Sequence, residues 1–476
     1  LPLVVSSAEQ YYGRAAALAQ GSDPSRPGIL VGWSRALHQA GRSVEAKEKV
    51  EEAVDILRGM GEPRALAMAL STRARICGWL GDPSSDRLHD EALRICEREG
   101  PSPELLGVLE AWVGDRAAAM DYGAALAGAA KAVRLGKQLG LAPSPSIIHW
   151  QGQIRCALGD ERGLSGMRRS LRQARKRGLG HEASRFAYNY AQELLWYRGP
   201  RAALAAVNDG LQCAGEQGDV TACGYLTLAE LQCLWLLGDW QSLRARAAGL
   251  DGVLDEQRDM VDLILLRGLV GMVLLAEGDR GLSDHAALLA VSQRSDLDPS
   301  TRQICLTVSV ALQAALHDAQ AAGRSLAELE RLAQVCGQCD PNVATYLPEA
   351  ARRVADVASL AAVVGVSSRL RPNRPMDAAA VAGIEALAAE KAGDQARAEC
   401  KYGEAAMYWG NLGVPYELAY AQFGRARCLA SLDRRAEADT LLGTCSDTLT
   451  RLGATAALIE TQAFRRSWDP RDLGAR

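Results

Sequence analysis

Apolar residues recur at helical spacing along almost the whole chain, and short polar turns interrupt them at regular intervals. Residues Leu231 to Leu243 show the pattern, because one apolar run ends at Gly238-Asp239 and a second run follows. Glycine suits the left-handed conformation that closes a helix, and aspartate can cap the next helix by accepting from its free N–H groups. The pattern predicts two helices joined by a tight turn.

The same turn recurs with a period of about 40 residues, as in helical-repeat proteins. It is found at Gly41-Arg42, Gly81-Asp82, Gly159-Asp160, Gly199-Pro200, Gly278-Asp279 and Gly393-Asp394, with weaker markers at Asp121, His317-Asp318 and Asp433. First helices are predicted over 64–80, 147–158, 181–198 and 222–237, and second helices over 44–59, 202–216 and 435–451. Nothing alternates like a strand. The prediction is an all-α fold, an α-solenoid superhelix of about ten helix-turn-helix repeats.

The interval 364–376 breaks this pattern. It holds two prolines and three arginines, which do not fit an ordinary helix interior. We predict an exposed connector there, between a main repeat array over 1–363 and C-terminal repeats over 377–466, with a tail over 467–476. A hinge or a partner-docking loop is one interpretation. A tolerated insertion is favoured, since surface loops accept insertions.

Composition limits how the core is built and which partners and cellular location suit the protein. The interior must consist mainly of Ala, Leu and Val, because aromatics make up 5% of the chain, and the net charge of −3 gives no field that favours nucleic acid. We find no secretory signal and no apolar run of about 18 residues. We therefore expect reduced cysteines, a cytoplasmic location, no membrane and no direct nucleic-acid binding. The chain begins at Leu1 without Met in a helical pattern, so we expect it to be part of a longer protein.

Two segments carry a resemblance to a known family. Residues 388–453 and the turn Gly41-Arg42-Ser43-Val44-Glu45-Ala46 resemble the tetratricopeptide-like (TPR) arrays of bacterial signal-transduction ATPases. Such arrays occur in MalT-like and LuxR-type large transcriptional regulators and in ATPase-linked nucleotide cyclases, where a nucleotide-binding module precedes the array. This chain has no Gly-x-x-x-x-Gly-Lys-Ser/Thr phosphate loop and no helix-turn-helix after Gly453. The resemblance therefore implies a repeat domain whose ATPase and output modules lie outside this sequence.

Motifs for catalysis or cofactor binding are weak. Residues 178–183 (Gly-Leu-Gly-His-Glu-Ala) superficially match a dinucleotide loop but follow a basic helix, so an inter-helix turn is favoured. Cys336 and Cys339 form one CxxC pair, whereas zinc needs two further ligands. Redox-active thiols remain an alternative to buried or incidental cysteines, which are favoured. We expect no enzyme activity, no cofactor and no metal.

One dense basic patch stands out, at Arg168, Arg169, Arg172, Arg175, Lys176 and Arg177. It could dock a phosphate-bearing ligand, nucleic acid or an acidic partner domain. A solvated helix is favoured, because the expected helix geometry spreads these residues around the cylinder and no aromatic residues alternate with them for base stacking.

Candidate ligand residues fall in the first helices, which line the concave groove in TPR-like superhelices. Tryptophans recur there at positions 33, 79, 112, 150, 196 and 235, and Trp150, Trp196 and Trp235 could form a binding wall. The favoured alternative is that each fills the gap between paired helices. The polar candidates are His149, Gln153, Tyr188, Asn189, Gln192 and Glu193, with solvated groove positions as the favoured alternative for them.

The leading functional hypothesis is a non-catalytic sensor and protein-interaction domain of a larger bacterial regulatory protein. It would bind a small-molecule effector, or a protein or peptide partner such as the ATPase and output domains of its own parent chain, in the groove. The alternative is a stand-alone scaffold that holds proteins together without a small-molecule site. An enzyme ranks third, since it would need an acid–base or metal pair that the sequence does not show. Turnover abolished by mutating His149 or Glu193 would support it.

Overall fold

A computed structural model describes residues 3–19, 23–251, 260–279, 299–354 and 357–468 of the 476. These residues form 23 helices, and none of them lies in a β-strand, so the predicted all-α class is confirmed. The helices are α1 (Leu3–Leu18), α2 (Arg26–Gln39), α3 (Ser43–Met60), α4 (Pro63–Trp79), α5 (Ser85–Arg98), α6 (Pro103–Ala118), α7 (Tyr122–Gln138), α8 (Pro145–Ala157), α9 (Gly163–Lys176), α10 (Gly180–Arg198), α11 (Pro200–Gln217), α12 (Val220–Leu237), α13 (Trp240–Asp251), α14 (Met260–Glu277), α15 (Pro299–Ala315), α16 (Ala319–Cys336), α17 (Val343–Arg353), α18 (Val357–Ser367), α19 (Pro375–Lys391), α20 (Gln395–Leu412), α21 (Pro415–Ser431), α22 (Arg435–Leu452) and α23 (Thr455–Trp468).

The predicted helix boundaries agree with these helices to within two residues. The first helix predicted over 64–80 is α4, Pro63–Trp79, and the one predicted over 222–237 is α12, Val220–Leu237. The second helix predicted over 435–451 is α22, Arg435–Leu452. Local signals therefore sufficed to place these helix ends.

The repeated turn has the backbone conformation that the glycines predicted. Gly238 has a φ of +76°, and where the repeat lacks glycine, Met120, His317 and Asp433 take φ values of 60°, 60° and 64°. An L side chain rarely adopts this conformation. The packing of the two helices therefore imposes the turn, and glycine only makes it less costly.

Aspartates cap the second helices as predicted. The Asp239 carboxylate accepts a hydrogen bond from the backbone N–H of Ser242 at 3.2 Å. Asp121, Asp318 and Asp394 accept in the same way from the residue three positions later. Each carboxylate satisfies one of the free N–H groups at the start of a helix.

The chain divides into two compact units. Unit 1 contains residues 1–193 and 205–227, and unit 2 contains residues 194–204 and 228–476. In unit 1, α2 packs on α3, α4 on α5, α6 on α7 and α8 on α9, and in unit 2, α15 packs on α16, α19 on α20 and α21 on α22. Each helix pair also packs on a neighbouring pair, as in α3 with α4 and α20 with α21. This tandem packing of helix pairs is an α-solenoid of the TPR-like type.

Unit 1 contains a close approach between two helices of one pair. A Cβ on Gly152 of α8 would lie 2.8 Å from the carbonyl oxygen of Gly163 on α9, and a Cβ on Gly163 would collide with the carbonyl oxygen of Gly152. Glycine at both positions lets the two backbones meet. The backbones of α8 and α9 are thereby fixed close to each other.

The predicted connector over 364–376 differs from the structure. Its first residues belong to α18, which ends at Ser367, and Pro375 opens α19, where the first helical turn tolerates proline. Arg374 is only 2% exposed, since its Nε donates to the buried Asp377 carboxylate at 3.0 Å. The expectation of an exposed segment was therefore wrong for Arg374. The division into repeats before and after this segment stays a prediction, and residues 469–476 of the predicted tail lie outside the described residues.

One helix within the described residues, α12, is long and apolar enough to cross a membrane by length and composition. The expectation that no apolar stretch reaches that length was wrong, because isolated polar residues such as Thr221 and Glu230 interrupt the run without making it polar on average. In the structure 56% of this 18-residue helix is buried inside the protein. The core helix of a folded domain satisfies the same criteria.

Candidate functional site

Three of the predicted polar residues meet in one hydrogen-bonded chain between α8 and α10. The side-chain amide of Asn189 lies 3.1 Å from Nε2 of His149 and donates to Oε1 of Gln153 at 3.1 Å. On the other side of the imidazole, Nδ1 lies 3.2 Å from Oγ of Ser170. Adjacent repeats therefore bring His149, Gln153 and Asn189 together, as their positions in the repeat predicted.

His149 is the buried centre of this chain. Its ring is fully buried and stacks on Phe186 with 4.1 Å between ring centroids. Ser170 donates its own proton to a backbone carbonyl, so it accepts from Nδ1–H, and the Nε2 lone pair accepts from Asn189. Burial, and then the charge of Arg185, lowers the pKa of His149 well below its ordinary value. His149 is therefore neutral and holds Asn189 in place, with no exposed atom to offer a ligand.

The residues of α10 divide into a half-buried and a buried set. Tyr188 and Asn189 are half-buried, and the Tyr188 ring packs edge to face on Tyr225 at 4.8 Å. Gln192 and Glu193 are 8% and 1% exposed, because the stretch from 191 to 197 is buried at every position except 194. Neither can face a ligand in solution. We call the half-buried set Gln153, Tyr188, Asn189 and Tyr225 the inner surface of unit 1.

The tryptophans expected to form a wall lie in the core instead. Trp150, Trp196 and Trp235 are 6%, 7% and 3% exposed, and Trp235 stacks on Trp240 with 5.5 Å between centroids. The expectation of a groove wall was wrong for these three, because rings buried to this extent offer almost no surface to a ligand. They fill gaps between helices. Trp79 is different, since it is 51% exposed and lies beside the inner surface, 6.2 Å from Tyr225.

The basic patch covers one face of α9. All six of its side chains are exposed, while the buried residues of α9, such as Met167 and Ala174, lie on the opposite side. The expectation that helix geometry spreads these charges around the cylinder was wrong, since steps of three and four residues return to the same face. Arg175 donates to the backbone carbonyl of Asp209 at 2.9 Å. A role for the patch in docking stays a prediction.

The two short motifs have structural roles. Gly178 has a φ of +69° and Gly180 begins α10, so residues 178–183 form an inter-helix turn, as favoured. All twelve cysteines are free, and burial raises the pKa of the Cys339 thiol to about 12. A thiol with that pKa is protonated at neutral pH and is a poor nucleophile. Among the described residues, no three His, Cys, Asp or Glu side chains are grouped to hold a metal ion.

Sequence reasoning missed a cavity of about 330 Å³ in unit 1. Side chains of three first helices, α2, α4 and α10, form its walls: Arg35, His38, Gln39, Arg75, Ile76, His181 and Glu182. The first and sixth helix pairs also meet beside it, because the Oγ1 of Thr221 at the start of α12 donates to the carbonyl oxygen of His38 at 2.7 Å. Trp79 links the cavity wall to the inner surface, since its ring packs on His38 at 5.7 Å and on Tyr225 at 6.2 Å.

Positive charge dominates this cavity. Burial, Arg185 and Arg35 lower the pKa of Arg75 to about 10, and burial, Arg75 and His181 lower that of His38 to about 4. The Nε of Arg75 is buried and has no hydrogen-bond partner within the described residues, and the same holds for the Nε of Arg185. Such guanidinium groups are costly without an anion nearby.

A second cavity, of about 500 Å³, lies within unit 2 between α17, α19 and α21. Its central carboxylate, Glu390, accepts from Nε of Arg427 at 2.7 Å and from the Tyr402 hydroxyl at 2.7 Å. Arg352 on another wall pairs with Glu417 at 2.7 Å. The charges of Glu390, Arg427, Arg352 and Glu417 already neutralise one another, so these four groups leave no net charge for a ligand.

Comparisons with known proteins give no family for this chain and a distant structural likeness. No family model matches it, and no curated protein matches it. Among the solved structures that match is the crystal structure of yeast Tom70, with 12% sequence identity over 97% of this chain and 93% of that chain and a TM-score of 0.35. At this identity and TM-score the likeness does not extend to function. The fold class rests on this chain's own helices.

Proposed function

We propose that this chain is a non-catalytic sensor and protein-interaction domain of a larger bacterial regulatory protein. It would act in transcriptional regulation or signal transduction in the cytoplasm. The regulatory context is motivated by the resemblance of residues 388–453 to the arrays of bacterial signalling ATPases. The TPR-like fold supports a protein or peptide partner, because stacked helix pairs present an extended surface for binding.

The inner surface of unit 1 is the observation that carries this proposal. It combines two phenol rings, Tyr188 and Tyr225, with the amides of Gln153 and Asn189. Rigid aromatic rings beside hydrogen-bonding amides are typical of residues that dominate binding energy at interfaces. The half-exposed Trp79 extends the same surface. A partner segment or an effector bound there would contact the first helices of several repeats at once.

The burial of two residues favours a non-catalytic role. An acid–base enzyme was hypothesised around His149 or Glu193, and both side chains are almost fully enclosed. The low pKa and the completed hydrogen bonds of His149 leave it no free proton to exchange with a substrate. The binding role therefore ranks above catalysis.

The test is direct binding by the full 476-residue chain. A panel of peptides, sugars and nucleotides is screened by thermal shift, and positives are measured by titration calorimetry. We expect the double variant Tyr188→Ala/Asn189→Ala to weaken binding of a positive at least about tenfold, since it removes a ring and an amide from one contact. The matched control is Tyr408→Ala/Asn411→Ala, which removes the same chemical groups from α20 in unit 2.

Two results would contradict the proposal. One is that no member of the panel binds to the wild-type chain. The other is that both double variants weaken binding equally, because the contact would then not be at the inner surface of unit 1.

A further inference from the structure

The cavity in unit 1 is lined by guanidinium groups that the protein itself leaves without a carboxylate partner. Arg35 donates from Nη2 to the Thr72 hydroxyl at 3.1 Å, a neutral acceptor. Arg75 makes no ion pair and no side-chain hydrogen bond within the described part of the chain. Arg185 is not one of the lining residues, but its charge acts on Arg75. It lies over the Trp150 ring, 5.4 Å from its centroid, so an aromatic face rather than an anion covers it.

The acidic groups near the cavity are mostly engaged elsewhere. Asp219 accepts from Nδ1 of His181 at 2.6 Å and caps α12 through the N–H of Ala222 at 2.9 Å. Asp115 pairs with the buried His89. Glu182 is the one carboxylate among the residues that line the cavity. Against the guanidinium groups of Arg35 and Arg75 in the same walls, it leaves a net positive charge.

We propose that this cavity binds a small molecule that carries an anionic oxygen group, a phosphate or a carboxylate, on a planar ring. The anionic group would accept from the guanidinium groups of Arg75 and Arg35, whose fork of N–H donors matches the oxygen pairs of carboxylate and phosphate. The ring would lie against Trp79, which is 51% exposed and 5.7 Å from His38 in the cavity wall. The volume of about 330 Å³ is in the range of small-ligand sites.

Three properties support an anionic ligand over a neutral one. The guanidinium group of Arg75 makes no hydrogen bond within the described residues, so an anion in the cavity would give it a partner. Burial, and then repulsion by the Arg185 and Arg35 charges, lowers the pKa of Arg75, and an anion would relieve that repulsion. His38 on α2 and His181 on α10 add ring nitrogens that can donate or accept. A neutral ligand would leave the repulsion in place.

This inference narrows the ligand of the proposed sensor and rests on that proposed function. The experiment is titration calorimetry on the full chain at low ionic strength, with AMP, adenosine, inorganic phosphate and benzoate as separate probes. We expect AMP to bind and adenosine to bind at least about tenfold more weakly, since a hydrogen bond to a charged group is worth that factor. Binding of phosphate but not benzoate would assign the phosphate class, and the reverse would assign the carboxylate class.

Charge-matched variants test the location. Arg75→Gln and Arg35→Gln should each lower the affinity for whichever probe binds at least about tenfold. Arg172→Gln, on the exposed face of α9, removes the same charge and should change the affinity less than about twofold. Circular dichroism and a thermal melt check folding, and if Arg75→Gln is unfolded, the exposed Arg35 provides the result. Trp79→Phe should remove most of the change in tryptophan fluorescence on binding.

The inference is overturned if none of the four probes binds, or if adenosine binds as tightly as AMP. It is also overturned if Arg172→Gln weakens binding as much as Arg75→Gln, because the effect would then be a general field. A failure of this inference can be distinguished from a failure of the proposed function. Peptide binding that is lost in Tyr188→Ala/Asn189→Ala but kept in Arg75→Gln would support the interaction role without the anion site.

Discussion

The hydroxyl of Thr221 donates a hydrogen bond to the backbone carbonyl oxygen of His38 at 2.7 Å, although 183 residues separate them. The backbone N–H groups of Gly41 and Arg42 also donate to carbonyl oxygens in the last turn of α2, and Gly41 uses the same His38 oxygen. The end of α2 therefore accepts both from its own turn and from α12. This contact joins α2 and α12, the first helices of the first and the sixth helix pair. It also fixes one wall of the cationic cavity, because His38 lines it.

We expect Thr221→Val to lower the free energy of unfolding by about 1 kcal/mol, the usual worth of one hydrogen bond. Valine keeps the shape of threonine but cannot donate. The measurement is urea unfolding of the full chain. Thr444→Val is the control, since Thr444 is exposed and donates only within its own helix, to Thr440 at 3.1 Å. Equal losses in the two variants would contradict a special role for the Thr221 contact.

The acid sensitivity of the fold is predicted to depend on His149. Its folded pKa is far below 6.5, so the folded state binds fewer protons than the unfolded state. The stability from neutral His149 is therefore present above pH 6.5 and is lost as the pH falls below it. Between pH 7.5 and 5.5 the wild-type chain should lose roughly 1 kcal/mol through this residue.

The variant His149→Gln should be less stable than wild type at pH 7.5, with a smaller difference at pH 5.5. Chemical unfolding at the two pH values measures both numbers. His317→Asn is the control, because His317 is exposed and asparagine tolerates its φ of 60°. A difference that does not change with pH would show that His149 is not the neutral buried group described above.

Some of these features could be predicted from sequence because they are local. Gly238 and Asp239 specify a turn and a cap within four residues, and the structure confirms both. The cavity could not be predicted in the same way, since Arg75 and His181 are neighbours only after the array brings α4 and α10 together. One signal was present, because Arg35 and Arg75 stand 40 residues apart at equivalent positions of successive repeats.

The tryptophans show the same limit. Trp79 and Trp235 both lie in first helices, yet one is 51% and the other 3% exposed. Trp240 and Tyr416 both pack on Trp235. The ring centroids of Tyr416 and Trp235 are 5.6 Å apart, although Tyr416 lies 181 positions further along the chain. Period and composition cannot distinguish the two. Long-range packing decides which aromatic residue reaches solvent.

The contact between α8 and α9 predicts opposite effects for two glycine substitutions. Gly163→Ala should lower the free energy of unfolding by about 1–3 kcal/mol, because the added methyl group collides with the backbone of Gly152 and the helices must separate. Gly323→Ala should raise it by about 0.5–1 kcal/mol, since Gly323 is exposed inside α16 and nothing lies within 4 Å of the new methyl group. Urea unfolding measures both. A Gly163→Ala variant that is as stable as Gly323→Ala would contradict the close approach.

Cysteine labelling tests the CxxC pair. Burial raises the pKa of Cys339 to about 12, and its Sγ donates to the carbonyl oxygen of Val366 at 3.5 Å, whereas Cys400 is exposed. With a thiol-specific disulfide reagent at pH 8, we expect Cys400→Ser to remove the fastest phase. Cys339→Ser should leave that phase unchanged. A fast phase lost in Cys339→Ser would indicate a reactive thiol in the pair.

Unit 2 contains a buried ion-pair network whose strength depends on pH in the acid range. Glu349 is 1% exposed and accepts from Nε of Arg353 at 2.7 Å and from Arg352, which also pairs with Glu417. Burial opposes ionisation of Glu349, but the charges of Arg352 and Arg353 outweigh it and lower its pKa to about 2. The stability that this carboxylate contributes is therefore present above pH 4.5 and is lost as the pH falls through about 2.

Glu349→Gln leaves two largely buried guanidinium groups without their shared carboxylate, so it should cost roughly 3 kcal/mol at pH 7. At pH 3.5 the difference from wild type should shrink by roughly 1 kcal/mol, because part of the wild-type contribution is already lost there. Glu437→Gln provides the control, since Glu437 pairs with Arg434 on the exposed surface and its loss should change stability little at either pH. If the two variants behave alike across this range, the charges of Glu349, Arg352 and Arg353 do not form a coupled buried network.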